Sequence, residues 1–226
     1  MSAVAAILRT CEVRRAGSLP FAEAFAWQRH LVAERQAGRI PDQLLLLEHP
    51  PVVTMGRNGQ AGNLLLSPEL LAARGIDFHE TDRGGDVTYH GPGQIVGYPI
   101  LDLNQWKRDV HLYVRALEQV LTAAIEELGI ATQRIAGMTG VWTAAEPAAK
   151  IAAIGVHISR WVTSHGFALN VDPDLQHFSY IVPCGLSRPV TSLRALGCAA
   201  RSEEVAASLE RHFLKVFEFD HGDSHD

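Results

Sequence analysis

The sequence predicts an α+β fold, a mixed or antiparallel sheet with helices on one face. Three observations predict it. Strand-like segments are bunched rather than strictly alternating with helices, which argues against a doubly wound parallel sheet. Two long segments, residues 109–128 and 202–219, keep the 3.6-residue apolar period of amphipathic helices. The chain has 226 residues, 47 % hydrophobic and 20 % charged. That is globular composition, with enough length for one core without staples.

The elements follow in order. Residues 20–38 read as a helix, because Pro20 suits a first turn and Ala24, Trp27 and Leu31 share a face. The apolar run Leu44-Leu45-Leu46-Leu47 has strand length. Pro50-Pro51 breaks it, and Val52-Val53-Thr54-Met55 resumes. Ser67-Pro68-Glu69 and Gly75 are the start and stop signals of a two-turn helix. In the segment 109–128, Asp109 can cap and Gly129 can terminate. Val110, Tyr113, Leu117, Val120, Leu121, Ala124, Ile125 and Leu128 keep its period. Strands are expected at 87–90, 94–101, 140–143, 150–158 and 161–171, with Ser159-Arg160 turning between the last two. In the final helix Val205, Leu209, Phe213 and Phe217 recur every fourth residue. One domain is expected over residues 1–226, ending in a polar tail at 220–226.

Twenty Lys+Arg against twenty-five Asp+Glu leave a net charge of −5, which argues against a non-specific nucleic-acid binder. No apolar stretch approaches the roughly 18–20 residues that span a bilayer. No positive residue precedes the short apolar run at the N-terminus, so it is a poor leader. Cys11, Cys184 and Cys198 are odd in number and lack framework spacing. A cytoplasmic protein with reduced thiols is the expectation.

Three segments are candidates for chemistry. Arg83-Gly84-Gly85-Asp86-Val87-Thr88-Tyr89-His90-Gly91-Pro92-Gly93-Gln94 packs four glycines and a proline into twelve residues. It reads either as a twisted hairpin or as a cradle whose N–H groups approach a ligand. It lacks the Gly-Lys-Ser/Thr of a phosphate loop. Pro183-Cys184-Gly185 sets a thiol in a loop, either as a small buried hydrophobe or as a presented nucleophile. Lys150 opens the apolar run Ile151-Ala152-Ala153-Ile154-Gly155-Val156. It is either solvated at a strand start or half desolvated and usable as a base. Eleven histidines come without Cys-x-x-Cys, His-Glu-x-x-His or a tight carboxylate cluster, so no metal site is expected. No Gly-x-Ser-x-Gly supports a serine nucleophile.

The glycine-rich run, the Lys150 run, His165-Gly166-Phe167-Ala168-Leu169-Asn170-Val171 and Pro183-Cys184-Gly185 stand in the order found in one family. Together with Leu45-Leu46-Leu47-Glu48-His49-Pro50-Pro51-Val52-Val53-Thr54-Met55-Gly56-Arg57, they resemble the bacterial octanoyltransferases over about residues 40–200. The resemblance implies a biotin/lipoate-ligase-like catalytic domain over about residues 40–220. It implies transfer of octanoyl from acyl carrier protein to a lysine of a lipoyl domain through a thioester on Cys184, with Lys150 as partner. It places substrate contacts at Arg83, Gly84, Gly85, Asp86, Val87, Thr88, Tyr89, His90, Ala153, Ile154, Gly155, Gly166, Phe167 and Ala168. Within the glycine-rich run, the Asp86 side chain has no evident role.

The acyl group would arrive activated, its phosphopantetheine carried on the donor, so no cofactor is expected. The implied partners are octanoyl-acyl carrier protein, the lipoyl domains of 2-oxoacid dehydrogenases and the glycine cleavage H protein, with no nucleic acid and no membrane. Some of Arg57, Arg160, Arg188 and Arg194 are expected at the pocket mouth, steering an acidic donor. The alternatives are an ATP-dependent lipoate–protein ligase of the same fold, or a non-catalytic module that binds acyl groups or lipoyl domains.

Overall fold

The computed structural model describes residues 9–182 and 188–219. Its elements run β1 (Cys11–Ser18), α1 (Phe21–Gln36), β2 (Asp42–Glu48), β3 (Val52–Met55), α2 (Pro68–Ala72), β4 (Asp77–Glu80) and β5 (Val87–His90). They continue with β6 (Gln94–Ile100), α3 (Val110–Glu127), β7 (Thr132–Ile135), β8 (Met138–Thr143), β9 (Lys150–Ser159), β10 (Val162–Asn170) and α4 (Ser202–Val216). Seven strands form one sheet in the order β1-β2-β6-β10-β9-β8-β7, and a smaller sheet runs β4-β3-β5. Both are mixed. β1–β2 and β3–β4 are parallel, and the remaining pairs are antiparallel.

Helices cover both faces of the large sheet rather than one. Leu44 and Leu46 of β2 join a core with α3 and α4, whereas Leu45 and Leu47 pack with Ala24 and Leu31 of α1. Four consecutive leucines are the signature of a strand buried on both sides. The α3 stripe is the heart of the larger core: Tyr113, Leu117, Val120 and Leu121 are fully buried. Burial of each such side chain contributes roughly 1.5–3 kcal/mol. Asp109 caps α3 by accepting from Leu112 N–H at 3.0 Å, and Ser67 caps α2 by accepting from Leu70 N–H at 3.4 Å.

Three strands have no counterpart in the periodicity reading: β1, β4 and β7. All three are edge strands, and their sequences CEVRRAGS, DFHE and TQRI are charged or polar. Polar edges discourage pairing with other chains, and the same polarity hides the strand from an apolar-pattern search. The β9–β10 turn lies one residue later than expected. Ser159 pairs with Val162, and Arg160 and Trp161 both take positive φ, 48° and 64°, the pattern of a two-residue type I′ hairpin.

Candidate active site

Four small residues on β9 and β10 open a trough in the sheet. Ala153 pairs with Ala168 and Gly155 with Gly166, so all four present the same face. The absence of side chains lets backbone approach backbone. A Cβ on Gly155 would stand 2.9 Å from the Gly84 carbonyl oxygen, and one on Gly166 would stand 2.2 Å from that of Gly97. The glycine-rich segment lies over this trough, tied down where Gly84 N–H donates to the Val156 carbonyl at 2.8 Å.

Arg83 and Asp86 hold that segment from behind. The buried Arg83 guanidinium donates to the Thr54 carbonyl at 2.7 Å, the Thr54 hydroxyl at 3.0 Å and the Gly84 carbonyl at 3.1 Å. The Asp86 carboxylate accepts from Val87 N–H at 2.7 Å, from Gln60 N–H at 3.1 Å and from the Asn63 amide. Asp86 thereby fastens the 56–63 turn to the glycine-rich segment, a role that no local pattern in the sequence announces.

Between trough and segment lies a narrow cavity of about 50 Å³. Arg83, Gly85, Asp86, Val87, Thr88, His90, Lys150, Ala153, Ile154, Gly155, Gly166, Phe167 and Ala168 line it. Two expected contacts lie elsewhere. Gly84 faces a second, wider chamber. The Tyr89 side chain, one step along β5, points to the opposite face, where its hydroxyl bonds His177 Nδ1 at 2.7 Å and its ring packs on Phe178. Alternation along β5 turns the Thr88 and His90 side chains toward the cavity and those of Val87 and Tyr89 together into the small core with Val53, Leu71 and Ile76.

Phe21, Val96, Tyr98 and His165 complete the wall. His165 has φ 55°, and its N–H donates to Gln28 Oε1 of α1 at 2.8 Å. Its ring stacks on Phe25 at 5.4 Å and bonds Asp82 through Nε2 at 2.7 Å. Behind the wall His49 Nδ1 donates to the Leu19 carbonyl at 2.6 Å, which leaves Nε2 to accept from the Tyr98 hydroxyl at 2.7 Å. Burial pushes the His49 pKa down to about 4. Burial, then the neighbouring His49 and Arg83 charges, hold His90 well below the ordinary imidazole range. His165 is also lowered by burial, which its bond to Asp82 opposes without reversing. The inner cavity is therefore walled by neutral rings at pH 7.

The wider chamber measures about 610 Å³ and is lined by the 84–86 segment, Asn58, Gln60, Val114, the 136–139 turn and one edge of β9. Lys150 lines both spaces. It is 8 % exposed, its Nζ stands 4.7 Å over the Trp142 ring, and its backbone pairs with the returning chain at Pro189 (2.8 Å) and Thr191 (3.0 Å). Cys184 lies outside the described residues. The chain before it is fixed where Val182 N–H donates to the Asn63 carbonyl at 2.8 Å, and the chain after it runs beside Lys150.

Of the two other cysteines, Cys11 sits on β1, its thiol pushed up by burial and by Asp42, and Cys198 packs against the larger core. Among the four arginines expected at the mouth, Arg57 joins the turn docked on Arg83, and Arg188 precedes the stretch paired with Lys150. Arg160 instead bonds Gln36 at the far hairpin tip, and Arg194 pairs with Asp172 at 3.4 Å. Among the described residues no group of three His, Cys, Asp or Glu is placed to hold a metal ion, and no helix is long and apolar enough to cross a membrane.

Residues 20–214 match the family model of the lipoyl protein ligase A/B catalytic domain. The chain is similar to the octanoyltransferase of Solibacter usitatus, 56 % identical over 213 residues, covering 94 % of this chain and 96 % of that one. It is similar also to the octanoyltransferase of Koribacter versatilis, 53 % identical over 210 residues, covering 91 % and 84 %. In structure it resembles the bipartite lipoate protein ligase of Thermoplasma acidophilum, with a TM-score of 0.76, 16 % identity and coverage of 94 % and 85 %. It also resembles the biotin protein ligase of Aquifex aeolicus, with a TM-score of 0.51, 12 % identity and coverage of 94 % and 70 %. The two structural likenesses carry the fold alone.

Proposed function

This chain belongs to the lipoyl protein ligase A/B catalytic-domain family and, within it, to the octanoyltransferases; from that premise we propose that it works through an octanoyl-enzyme. It is an acyltransferase of protein lipoylation, and its acceptors are lipoyl-domain proteins. In our reading the donor is octanoyl-acyl carrier protein. The acceptors include the lipoyl domains of 2-oxoacid dehydrogenases and the glycine cleavage H protein, the setting is the cytoplasm, and no cofactor takes part.

The Cys184 thiol attacks the donor thioester. A C–S bond to Cys184 forms, the bond to the pantetheine sulfur breaks, and the thiol proton leaves with the carrier. The acceptor lysine then attacks the new thioester, the amide forms, and the proton of the amine returns to Cys184. A free thiol of pKa ~8.5 is only about 3 % thiolate at pH 7. Lowering that pKa by ~2 would raise the thiolate roughly 25-fold, but lost nucleophilicity returns about 8-fold, for a net gain of about threefold. The acceptor lysine is the larger problem, since at pKa ~10.4 about 0.04 % of it is neutral at pH 7. A base beside the thioester addresses that shortage, and Lys150 takes this role.

The observation that carries this reading is the position of Lys150 in the wall shared by both spaces. The inner cavity suits the alkyl chain: seven carbons beyond the carbonyl are worth roughly 5–6 kcal/mol at ~0.8 kcal/mol per methylene. The outer chamber suits the pantetheine arm and the acceptor lysine. Mixing the enzyme with octanoyl-acyl carrier protein should add one octanoyl mass to Cys184, labile to hydroxylamine. Cys184→Ser should lose turnover, while Cys11→Ala and Cys198→Ala keep it. Product from free octanoate and ATP, without a carrier donor, would overturn the reading in favour of a ligase.

A further inference from the structure

The outer chamber continues along the surface. The Ala136 end of it adjoins a cleft between Arg115 of α3 and Arg134 of β7, and those two arginines also line a groove of about 550 Å³ between α3 and α4. The groove adds Lys107 and Lys215 to the same arginines, against a single lining carboxylate, Glu218. That balance opposes the −5 of the whole chain. Arg115 bonds the buried Glu118 beneath it, and Lys107 stands 4.0 Å from Glu218. Arg134 and Lys215 have no ion-pair partner among the described residues. Leu112, 48 % exposed, lies in the groove among these cations. A continuous path thus leads from an exposed basic and apolar face, past two arginines, into the chamber that Lys150 lines.

We propose that this α3–α4–β7 face is the docking surface for the acidic carrier protein that delivers the acyl group, with the phosphodiester at the base of its arm held between Arg115 and Arg134. The proposal rests on the carrier-borne donor argued above. Charge complementarity selects the partner class: an acidic protein meeting a chain that is itself net negative needs a local positive face. Distance selects the donor over the acceptor. β7 lies two strands from β9, about 10 Å of sheet at ~4.8 Å per strand, before either side chain is counted. A phosphate followed by a long arm spans that interval, whereas a lysine side chain on a docked domain must start close to the thioester. Arginine pairs suit a phosphodiester because each guanidinium donates in a planar fork.

The test compares two donors with one lipoyl-domain acceptor: octanoyl-acyl carrier protein and octanoyl-pantetheine, which lacks both carrier and phosphate. The double variant Arg134→Glu/Lys215→Glu should lower kcat/KM for the carrier donor at least tenfold, mainly through KM, and leave the small donor within twofold. The small-donor rate also reports that the variant is folded. Rising salt should depress carrier-donor kcat/KM in the wild type and do so less steeply in the variant. Unchanged carrier kinetics, or an equal loss with both donors, would overturn the proposal. So would a rise confined to the KM of the lipoyl domain, which would give this face to the acceptor. A wild-type enzyme that uses neither thioester but takes octanoate and ATP would instead overturn the reaction itself.

Discussion

The inner cavity and the outer chamber share a wall and follow opposite physics. The inner one is narrow, lined by small residues and by histidines that burial keeps neutral, and a hydrogen-bonded His49–Tyr98 pair stands behind it. The outer one is an order of magnitude larger and opens toward exposed arginines. An alkyl chain gains from the apolar and small residues of the first, such as Val96, Ala153, Ile154, Phe167 and Ala168. Proton transfer and a charged donor need the second. Lys150 lines both, and in the proposed mechanism the reacting carbonyl belongs at that boundary between the narrow, mostly apolar space and the wide one.

The sharpest way to break this comparison is to keep the charge at the boundary and remove the base. Lys150→Arg retains a cation, but arginine does not act as a base in this range. Octanoyl-enzyme should still accumulate, and its transfer to the lipoyl domain should slow by about 10²–10⁴-fold in single-turnover mixing. Transfer from a preformed thioester at the wild-type rate would remove Lys150 as the base. Failure of acylation as well would point to simple blockage by the larger head.

The buried, neutral His49 behind the inner wall predicts an acid sensitivity. With the folded His49 pKa at about 4 against an ordinary 6.5, the unfolded chain binds a proton that the folded chain does not as pH falls through that window. This contribution is whole above about pH 6.5 and shrinks toward pH 4, by about 3 kcal/mol in all and about 2 kcal/mol at pH 5. Urea unfolding at pH 7.5 and pH 5 should show the loss, and His49→Gln should remove that part of it. An unchanged pH dependence in His49→Gln would mean that His49 is not buried neutral.

The smallest effect sharpens the geometry. Ala168→Leu adds three carbons to the trough opposite Ala153. At about 1–3 kcal/mol of overpacking or lost chain contact, octanoyl kcat/KM should fall roughly 10–100-fold, and that of a butanoyl donor less. Equal losses with both chain lengths would show that the alkyl chain lies elsewhere.

Much of this was legible along the chain because its causes are local. The α3 stripe from Tyr113 to Ile125, the caps Asp109 and Ser67, and the paired strands β9 and β10 each follow from periodicity or a single side chain. The edge strands β1, β4 and β7 were not, because a polar edge needs no apolar pattern. Nor was the second helical layer: the leucines at 44–47 state that both faces are buried, but not by which helices.

The sequence by itself determined the family, the α+β class and the residue types on hand for the chemistry, since motif order and apolar period are properties of the chain. Only the tertiary structure decided that Gly155 and Gly166 meet to make a trough, that Tyr89 turns away while Tyr98 and Phe21 turn in, and that Asp86 fastens a turn some 25 residues away. It alone shows that Arg160 bonds Gln36 and Arg194 pairs with Asp172, and that Arg115 and Arg134 line one cleft. Each of these depends on which backbones lie side by side and on the direction in which a strand presents alternate side chains. Both are fixed by packing between segments far apart in the chain, which no local pattern encodes.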